Sequence, residues 1–65
     1  MSIVIYGKDG CPYTMKARAA HPDATYHDVS KDPAKLEEML TFSDGVRKVP
    51  VIVTNGTPTI GYGGT

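Results

Sequence analysis

The sequence predicts an α/β fold in which a four-stranded mixed sheet carries two helices. Three observations favour it: short β-branched runs alternate with segments of helix formers, each helical segment starts at a proline, and an Asn-Gly pair separates the last two runs. The order strand, helix, strand, helix, strand, strand predicts a parallel pair joined by a right-handed crossover, followed by an antiparallel hairpin. At 65 residues, we expect a single domain spanning 1–65.

The first half of the chain is predicted to form a strand, a helix and a second strand. Residues 2–6 are β-branched and aromatic, which is typical of a buried strand. Residues 13–20 are rich in helix formers and follow Pro12, which suits the first position of a helix. Pro22 ends that helix, and the weak alternation over 24–29 predicts the second strand.

The second helix is predicted from its cap and its apolar stripe. Asp32 is the expected N-cap, Pro33 lies in the first turn, and residues 43–45 close the helix. The apolar positions that fall at i, i+3 and i+4 are Leu36, Met39 and Leu40. Met39 and, in the first helix, Met15 are predicted to pack in the core.

The end of the chain is predicted to form a hairpin without a third helix. Residues 49–54 and 57–60 are the two strands, and Asn-Gly at 55–56 is a strong two-residue turn signal. Pro50 cannot donate to a strand ladder, so it needs an edge or a bend. The glycine-rich residues 61–65 are too flexible to form a further element.

Composition excludes several classes of function. Lysine plus arginine and aspartate plus glutamate each total 7, and a formal net charge of zero favours neither nucleic acid nor an anionic membrane as partner. A single cysteine excludes an internal disulfide and a four-thiolate zinc site. No apolar run is long enough for a membrane span or a signal peptide. We therefore expect a soluble, cytoplasmic protein. For its assembly state we expect a monomer, which composition does not determine.

Cys11 is the residue best placed for chemistry, because it precedes the first helix. The partial positive charge of the helix N-terminus and the ammonium of Lys8 both favour a thiolate, the form in which cysteine is nucleophilic. Gly7 and Gly10 let the loop backbone approach the sulfur. The alternative is a buried cysteine that acts only as a small hydrophobe, but a loop-to-helix position preceded by Lys-Asp-Gly favours exposure.

Together these motifs resemble the glutaredoxin family over nearly the whole chain. Cys-Pro-Tyr-Thr at 11–14 differs only at its last position from the family's Cys-Pro-Tyr-Cys, and Lys8 matches the lysine of the family's pre-cysteine loop. Val-Pro at 49–50 is similar to the pair whose proline is cis in thioredoxin-like folds, and 61–65 resembles the glycine pair after the last strand. The resemblance implies a thioredoxin-like fold that lacks the C-terminal helix.

The resemblance also implies glutathione as co-substrate, with no tightly bound cofactor, and glutathionylated or disulfide-bearing proteins as partners. Cys11 would be the nucleophile, Lys8 would meet a glutathione carboxylate, Tyr13 would line the groove, and the Val49 backbone would pair with the cysteinyl amide. Residues 63–65 would hold the γ-glutamyl end. The glutathione-binding residues implied in this way are Lys8, Tyr13, Thr14, Val49, Pro50, Gly63, Gly64 and Thr65.

Two departures from the family pattern affect this interpretation. Thr14 replaces the second cysteine, so only a monothiol cycle through Cys11 is available. The Thr14 hydroxyl either bonds the thiolate or is a solvated helix hydroxyl. The third helix is missing, and the glycine-rich end also resembles short glutaredoxin-like proteins whose last residues include a selenocysteine or cysteine. In such a protein a second redox residue would follow Thr65.

Two other functions remain open at this stage. Two chains that each contribute Cys11, together with two glutathione thiols, could hold a [2Fe–2S] cluster, although relatives that do so typically carry Cys-Gly-Phe-Ser. A binding module without redox activity is the other alternative. His21 and His27 lack ligand spacing and are interpreted as surface or strand residues. Arg47 and Lys48 are either a second positive site beside Cys11 or solvated loop charges.

Overall fold

The computed structural model describes residues 2–63 and contains one four-stranded sheet with two helices. The elements in chain order are β1 (Ile3–Gly7), α1 (Pro12–Ala20), β2 (Thr25–Asp28), α2 (Pro33–Ser43), β3 (Val51–Thr54) and β4 (Thr57–Ile60). The strand order across the sheet is β2-β1-β3-β4. The pair β1 and β2 is parallel, whereas β3 runs antiparallel to both β1 and β4. The predicted mixed sheet and element order are confirmed.

The two faces of the sheet are covered by different helices because side chains alternate along each strand. On one face Ile5 and Ile52 pack against Ala17 of α1. On the other face Tyr6 packs with Met39 of α2. The remaining buried members of this second cluster are Val29, Val51 and Val53.

Both ends of α2 are closed by aspartates. The Asp32 carboxylate accepts hydrogen bonds from the backbone N–H groups of Ala34 at 3.1 Å and Lys35 at 3.3 Å, as its predicted role as N-cap requires. At the other end Asp44 adopts the left-handed conformation with φ 57°, and the Gly45 N–H bonds the Leu40 carbonyl at 2.9 Å. The predicted closure at residues 43–45 is therefore confirmed.

Four details of the sequence interpretation are wrong. β1 covers Ile3–Gly7 rather than 2–6. β2 covers Thr25–Asp28 rather than 24–29, and it ends early because the Asp28 carboxylate accepts the Ser30 N–H and hydroxyl and turns the chain. β3 begins at Val51, after the cis Val49–Pro50 peptide bond. Met15 is 60% exposed, because α1 buries only Thr14 and Ala17.

The β3–β4 hairpin lies at the end of the sheet where the described chain begins. Asn55 and Gly56 have φ values of 50° and 85°, as a two-residue turn of type I′ requires. The Ser2 N–H donates to Asn55 Oδ1 at 2.9 Å, and the Asn55 N–H donates to the Ser2 carbonyl at 2.8 Å. On the outer strand Pro58 has no N–H to offer a further strand, a common protection of a sheet edge.

At the opposite end of the sheet, the last residues of β1 meet the first residue of β3. Tyr6 pairs with Val51, so the Lys8–Gly10 loop and the Val49–Pro50 segment lie at the same end of the sheet. Within residues 2–63 there is no third helix, and none of the helices has the length and apolar character needed to cross a bilayer.

Candidate functional site

The Cys11 thiol lies at the start of α1, where the loop after β1 turns into the helix. Gly10 has a φ of 84°, a conformation that disfavours a side chain, and the Cys11 N–H bonds the Lys8 carbonyl at 3.3 Å. Cys11 itself is extended, with φ −81° and ψ 119°, and its carbonyl accepts the Met15 N–H at 3.0 Å. Cys11 is thus the N-cap of a helix that begins at Pro12, and its side chain is partly exposed.

The surroundings of Cys11 lower the pKa of its thiol below the usual value. The Thr14 hydroxyl makes the largest contribution, followed by the Thr14 backbone N–H, and the Tyr13 N–H adds a smaller one. The positive charge of Lys8 acts in the same direction, while partial burial of the sulfur opposes them. A cysteine at a helix N-terminus whose pKa is lowered in this way is enriched in the thiolate at neutral pH.

Thr14 is fixed in place by the residues at the end of β1. Its side chain is only 1% exposed, so the interpretation as a solvated hydroxyl is wrong. Thr14 Oγ1 accepts the Lys8 backbone N–H at 3.4 Å. A hydroxyl that accepts one hydrogen bond still has its own hydrogen to donate, and here it favours the charged form of the Cys11 sulfur.

A groove of 220 Å³ opens beside the Lys8–Gly10 loop, and its lining brings Lys8, Arg47 and Val49 together. Its remaining lining residues are Val29, Ser30, Leu36 and Met39. Sequence reasoning did not place these four at the site. The stripe of α2 could have indicated Leu36 and Met39 only as core residues, because its spacing does not show which end of the stripe reaches a groove.

The other described residues assigned from the sequence, Cys11 and Thr14 included, are not part of the lining of this groove. Tyr13 is half-buried, and its ring lies 5.5 Å from the Lys16 ammonium. Pro50 is buried next to Val49, Lys48 is exposed, and Gly63 is exposed with a φ of 63°. The assigned residues Gly64 and Thr65 lie outside the described residues.

The loop before Cys11 is also held by a group of charges that sequence reasoning missed. Asp9 accepts a hydrogen bond from the Tyr26 hydroxyl at 2.9 Å and pairs with Lys31 at 3.0 Å. Its backbone N–H donates to Asp28 at 3.1 Å, and Arg18 of α1 lies 4.0 Å from its carboxylate. These contacts attach the loop to β2 and to α1. No local pattern around Asp9 indicates partners so distant in sequence.

Two further cavities, of 350 and 200 Å³, lie between α1 and the segment that leads into β2. They share His21, Pro22 and Ala24, and neither is lined by Lys8 or Arg47. Among residues 2–63 no group of three or more His, Cys, Asp or Glu side chains is placed to hold a metal ion. The thiol and the groove beside Lys8 therefore define the candidate site.

Comparison with known proteins agrees with this geometry. The glutaredoxin family model matches residues 3–58, which include the thiol, its loop and the Val49–Pro50 segment. The chain belongs to the glutaredoxin family. Membership of this family supports a function of the thiol–disulfide oxidoreductase type.

The structural comparison extends the likeness of this glutaredoxin-family protein to its fold. The crystal structure of the glutaredoxin grx-1 from Archaeoglobus fulgidus is similar, with a TM-score of 0.82 at 21% sequence identity. The similarity covers 95% of this chain and 76% of the archaeal one. No sequence among the curated proteins matches the chain. The thioredoxin-like architecture is thus shared with a solved glutaredoxin.

Proposed function

We propose that this protein is a glutathione-dependent oxidoreductase that reduces protein–glutathione mixed disulfides by a monothiol mechanism through Cys11. The observation that carries the proposal is a thiol with a lowered pKa at a helix N-terminus, preceded by a loop whose Lys8 lines a groove together with Arg47. Family membership supports the class of reaction, and the single cysteine favours the monothiol route.

The reaction consists of two thiol–disulfide exchanges. In the first, the Cys11 thiolate attacks the glutathione sulfur of the mixed disulfide, the bond between the two sulfurs breaks, and the client leaves as a thiolate that takes up a proton. In the second, a glutathione thiolate attacks the glutathione sulfur now bound to Cys11. Oxidised glutathione leaves, and the Cys11 thiolate is restored. Overall one glutathione thiol is consumed: the client is released as a thiol, and its glutathione leaves joined to the second glutathione as oxidised glutathione.

Each part of the site has a proposed role in binding glutathione. The groove between Lys8 and Arg47 combines two cations with an apolar floor, which suits a carboxylate at the end of a small peptide. Val49, beside the buried Pro50, offers its backbone to the cysteinyl amide. Tyr13 flanks the thiol from the first turn of α1. We assign the γ-glutamyl end to Gly63, Gly64 and Thr65.

The proposal is tested by moving the only thiol of the protein. Wild type, Cys11→Ser and Cys11→Ser/Thr57→Cys are compared for reduction of a glutathionylated peptide by glutathione. The third protein keeps one thiol but places it on the exposed strand β4. We expect wild type alone to accelerate the reaction and to form a one-glutathione adduct with oxidised glutathione, detected by mass spectrometry. Equal rates for all three proteins would refute the proposal.

The same preparations report on the assembly state. We propose a monomer that works in the reducing cytoplasm, where a lone activated thiol is not lost to permanent disulfides. Size-exclusion chromatography before and after anaerobic addition of iron, sulfide and glutathione is the measurement. A single colourless monomer peak agrees with the proposal. A brown dimer that Cys11→Ser abolishes would favour the [2Fe–2S] alternative.

A further inference from the structure

Gly7, the last residue of β1, is a glycine for reasons of space rather than of conformation. The described glycines with positive φ are Gly10, Gly45, Gly56, Gly61 and Gly63. Gly7 is not among them, and it keeps the strand pairing of its neighbours, opposite Asp28. A glycine inside a strand commonly marks a place where another part of the protein approaches the backbone closely.

The group that approaches Gly7 is the side chain of Thr14. A Cβ added at Gly7 would lie 2.5 Å from Thr14 Cγ2, 2.6 Å from Oγ1 and 3.1 Å from Cβ. Real side chains do not tolerate the first two distances. Thr14 cannot easily move away, because it is 1% exposed and its β-branched side chain has few allowed rotamers.

The same hydroxyl is held from a second side. The Lys8 N–H, one residue beyond Gly7, donates to Thr14 Oγ1 at 3.4 Å. Thr14 lies three residues after Cys11 on the first turn of α1, so both side chains are on one face of the helix. The end of β1 therefore determines where the Thr14 hydroxyl points relative to the Cys11 sulfur.

We propose that Gly7 is a positioning residue for the Cys11 thiol and acts through Thr14, because its missing side chain leaves the space in which the Thr14 hydroxyl is held toward the sulfur. This inference rests on the proposed function, in which Cys11 is the nucleophile. It adds a residue that touches neither glutathione nor the reacting sulfur.

The test is a double-mutant cycle with Gly7→Ala, Thr14→Ala and the combined variant. For each protein the rate of alkylation by iodoacetamide is measured against pH, together with the melting temperature. All rates are taken well below the melting temperature of the least stable variant. Thr14→Ser, which keeps the hydroxyl, is the conservative control and is expected to stay within about twofold of wild type.

We expect Gly7→Ala to lower the melting temperature by roughly 4–20 °C through overpacking. It should also lower the alkylation rate at neutral pH about tenfold or more and move the midpoint of the pH profile upward, as loss of one hydrogen bond to a charged group predicts. Thr14→Ala removes the same donor without a clash. The combined variant should regain most of the melting temperature that Gly7→Ala loses. Its reactivity should equal that of Thr14→Ala, because Gly7 affects the Cys11 sulfur only through the Thr14 side chain.

Each of the following results would overturn the inference. Gly7→Ala with a lower melting temperature but the wild-type pH profile would make Gly7 a packing residue only. A combined variant less reactive than Thr14→Ala would show that Gly7 acts by another route. If Gly7→Ala does not fold, Gly7→Ala/Thr14→Ser replaces it, and reactivity equal to that of Thr14→Ser counts against the inference.

The outcome is separable from that of the proposed function. Iodoacetamide reports on the thiol without glutathione, so a shifted profile in Gly7→Ala supports the positioning role even if wild type reduces no mixed disulfide. Conversely, turnover by wild type together with an unchanged profile in Gly7→Ala keeps the proposed function and removes Gly7 from it.

Discussion

Arg47 and Lys8 reach one groove from distant parts of the chain, whereas Lys48, the next residue after Arg47, is exposed outside the groove lining. Arg47 and Lys48 carry the same charge, but only Arg47 lines the groove. Substituting each in turn therefore tests whether a positive charge in the groove contributes to substrate binding.

We expect Arg47→Gln to raise the KM for the glutathionylated substrate about two- to fivefold, the range of a solvent-exposed ion pair. Lys48→Gln changes the net charge equally and should leave KM within experimental error. Steady-state kinetics of both variants at low and high salt are the measurement, and the difference should shrink as salt screens the charges. Equal effects of the two substitutions would mean that the overall positive charge of this loop, rather than the groove, attracts the substrate.

The residues of the site differ in how far sequence alone places them. The position of Cys11 at the start of a helix follows from neighbours in the chain, since Pro12 suits the first turn and Gly10 allows the left-handed loop. The environment of Thr14 does not follow from its neighbours in the chain, because it depends on how closely α1 packs against the end of β1. Local sequence contains no information on that distance, so it is equally compatible with a solvated Thr14 hydroxyl and with one that bonds the thiolate.

Among the elements, α2 matters most to the groove, because Leu36 and Met39 form part of its lining. Asp32 is the N-cap of this helix, and its carboxylate accepts hydrogen bonds from two backbone N–H groups.

Asp32→Ala should destabilise the protein by about 1 kcal/mol, the usual cost of losing an N-cap side chain. For a domain of this size that is a decrease in melting temperature of roughly 4–8 °C. Glu37→Ala, on the exposed face of the same helix, is the control and should change the melting temperature much less. Thermal unfolding followed by circular dichroism measures both. A decrease in Glu37→Ala as large as that in Asp32→Ala would show that the cap itself contributes nothing.

Element boundaries show why periodicity predicts segments better than their ends. Both helices begin where proline and N-cap signals place them. β2 stops one residue early because the Asp28 carboxylate bonds Ser30, a side-chain contact that strand periodicity does not contain. The place of Met15 on a helix face predicts core packing, but the buried face of α1 is narrow and consists of Thr14 and Ala17.

Across the whole molecule, the charges that hold the Cys11 loop respond to acid. Hydrogen bonds from Ser30 lower the pKa of Asp28 to about 2, and hydrogen bonds from Lys31 and Tyr26 lower the pKa of Asp9. A carboxylate with a lowered pKa in the folded state stabilises that state above its unfolded pKa, and this contribution is lost as pH falls through the folded value. The loop contacts should therefore weaken on acidification.

We predict that the free energy of unfolding, measured by urea titration, declines between about pH 4 and pH 2 in wild type. In Asp28→Asn the stability at neutral pH should be lower, but a smaller part of it should be lost over the same interval, because one linked group is gone. Asp23→Asn, an exposed residue near the start of β2, makes the same change in charge and should follow wild type. An identical acid profile for Asp28→Asn and wild type would exclude Asp28 as a source of the decline.

The hydrogen bonds between Ser2 and Asn55 have a practical consequence for attaching this protein to a surface. They fix the start of β1 at one end of the sheet, while the thiol follows the other end of the same strand. The first and last residues of this five-residue strand are four steps apart, which is about 13 Å at roughly 3.3 Å per residue. A linker joined before Ser2 would therefore hold the molecule by the end remote from Cys11. Beads or sensor chips prepared in this way would present the reactive sulfur outward, accessible to a large client.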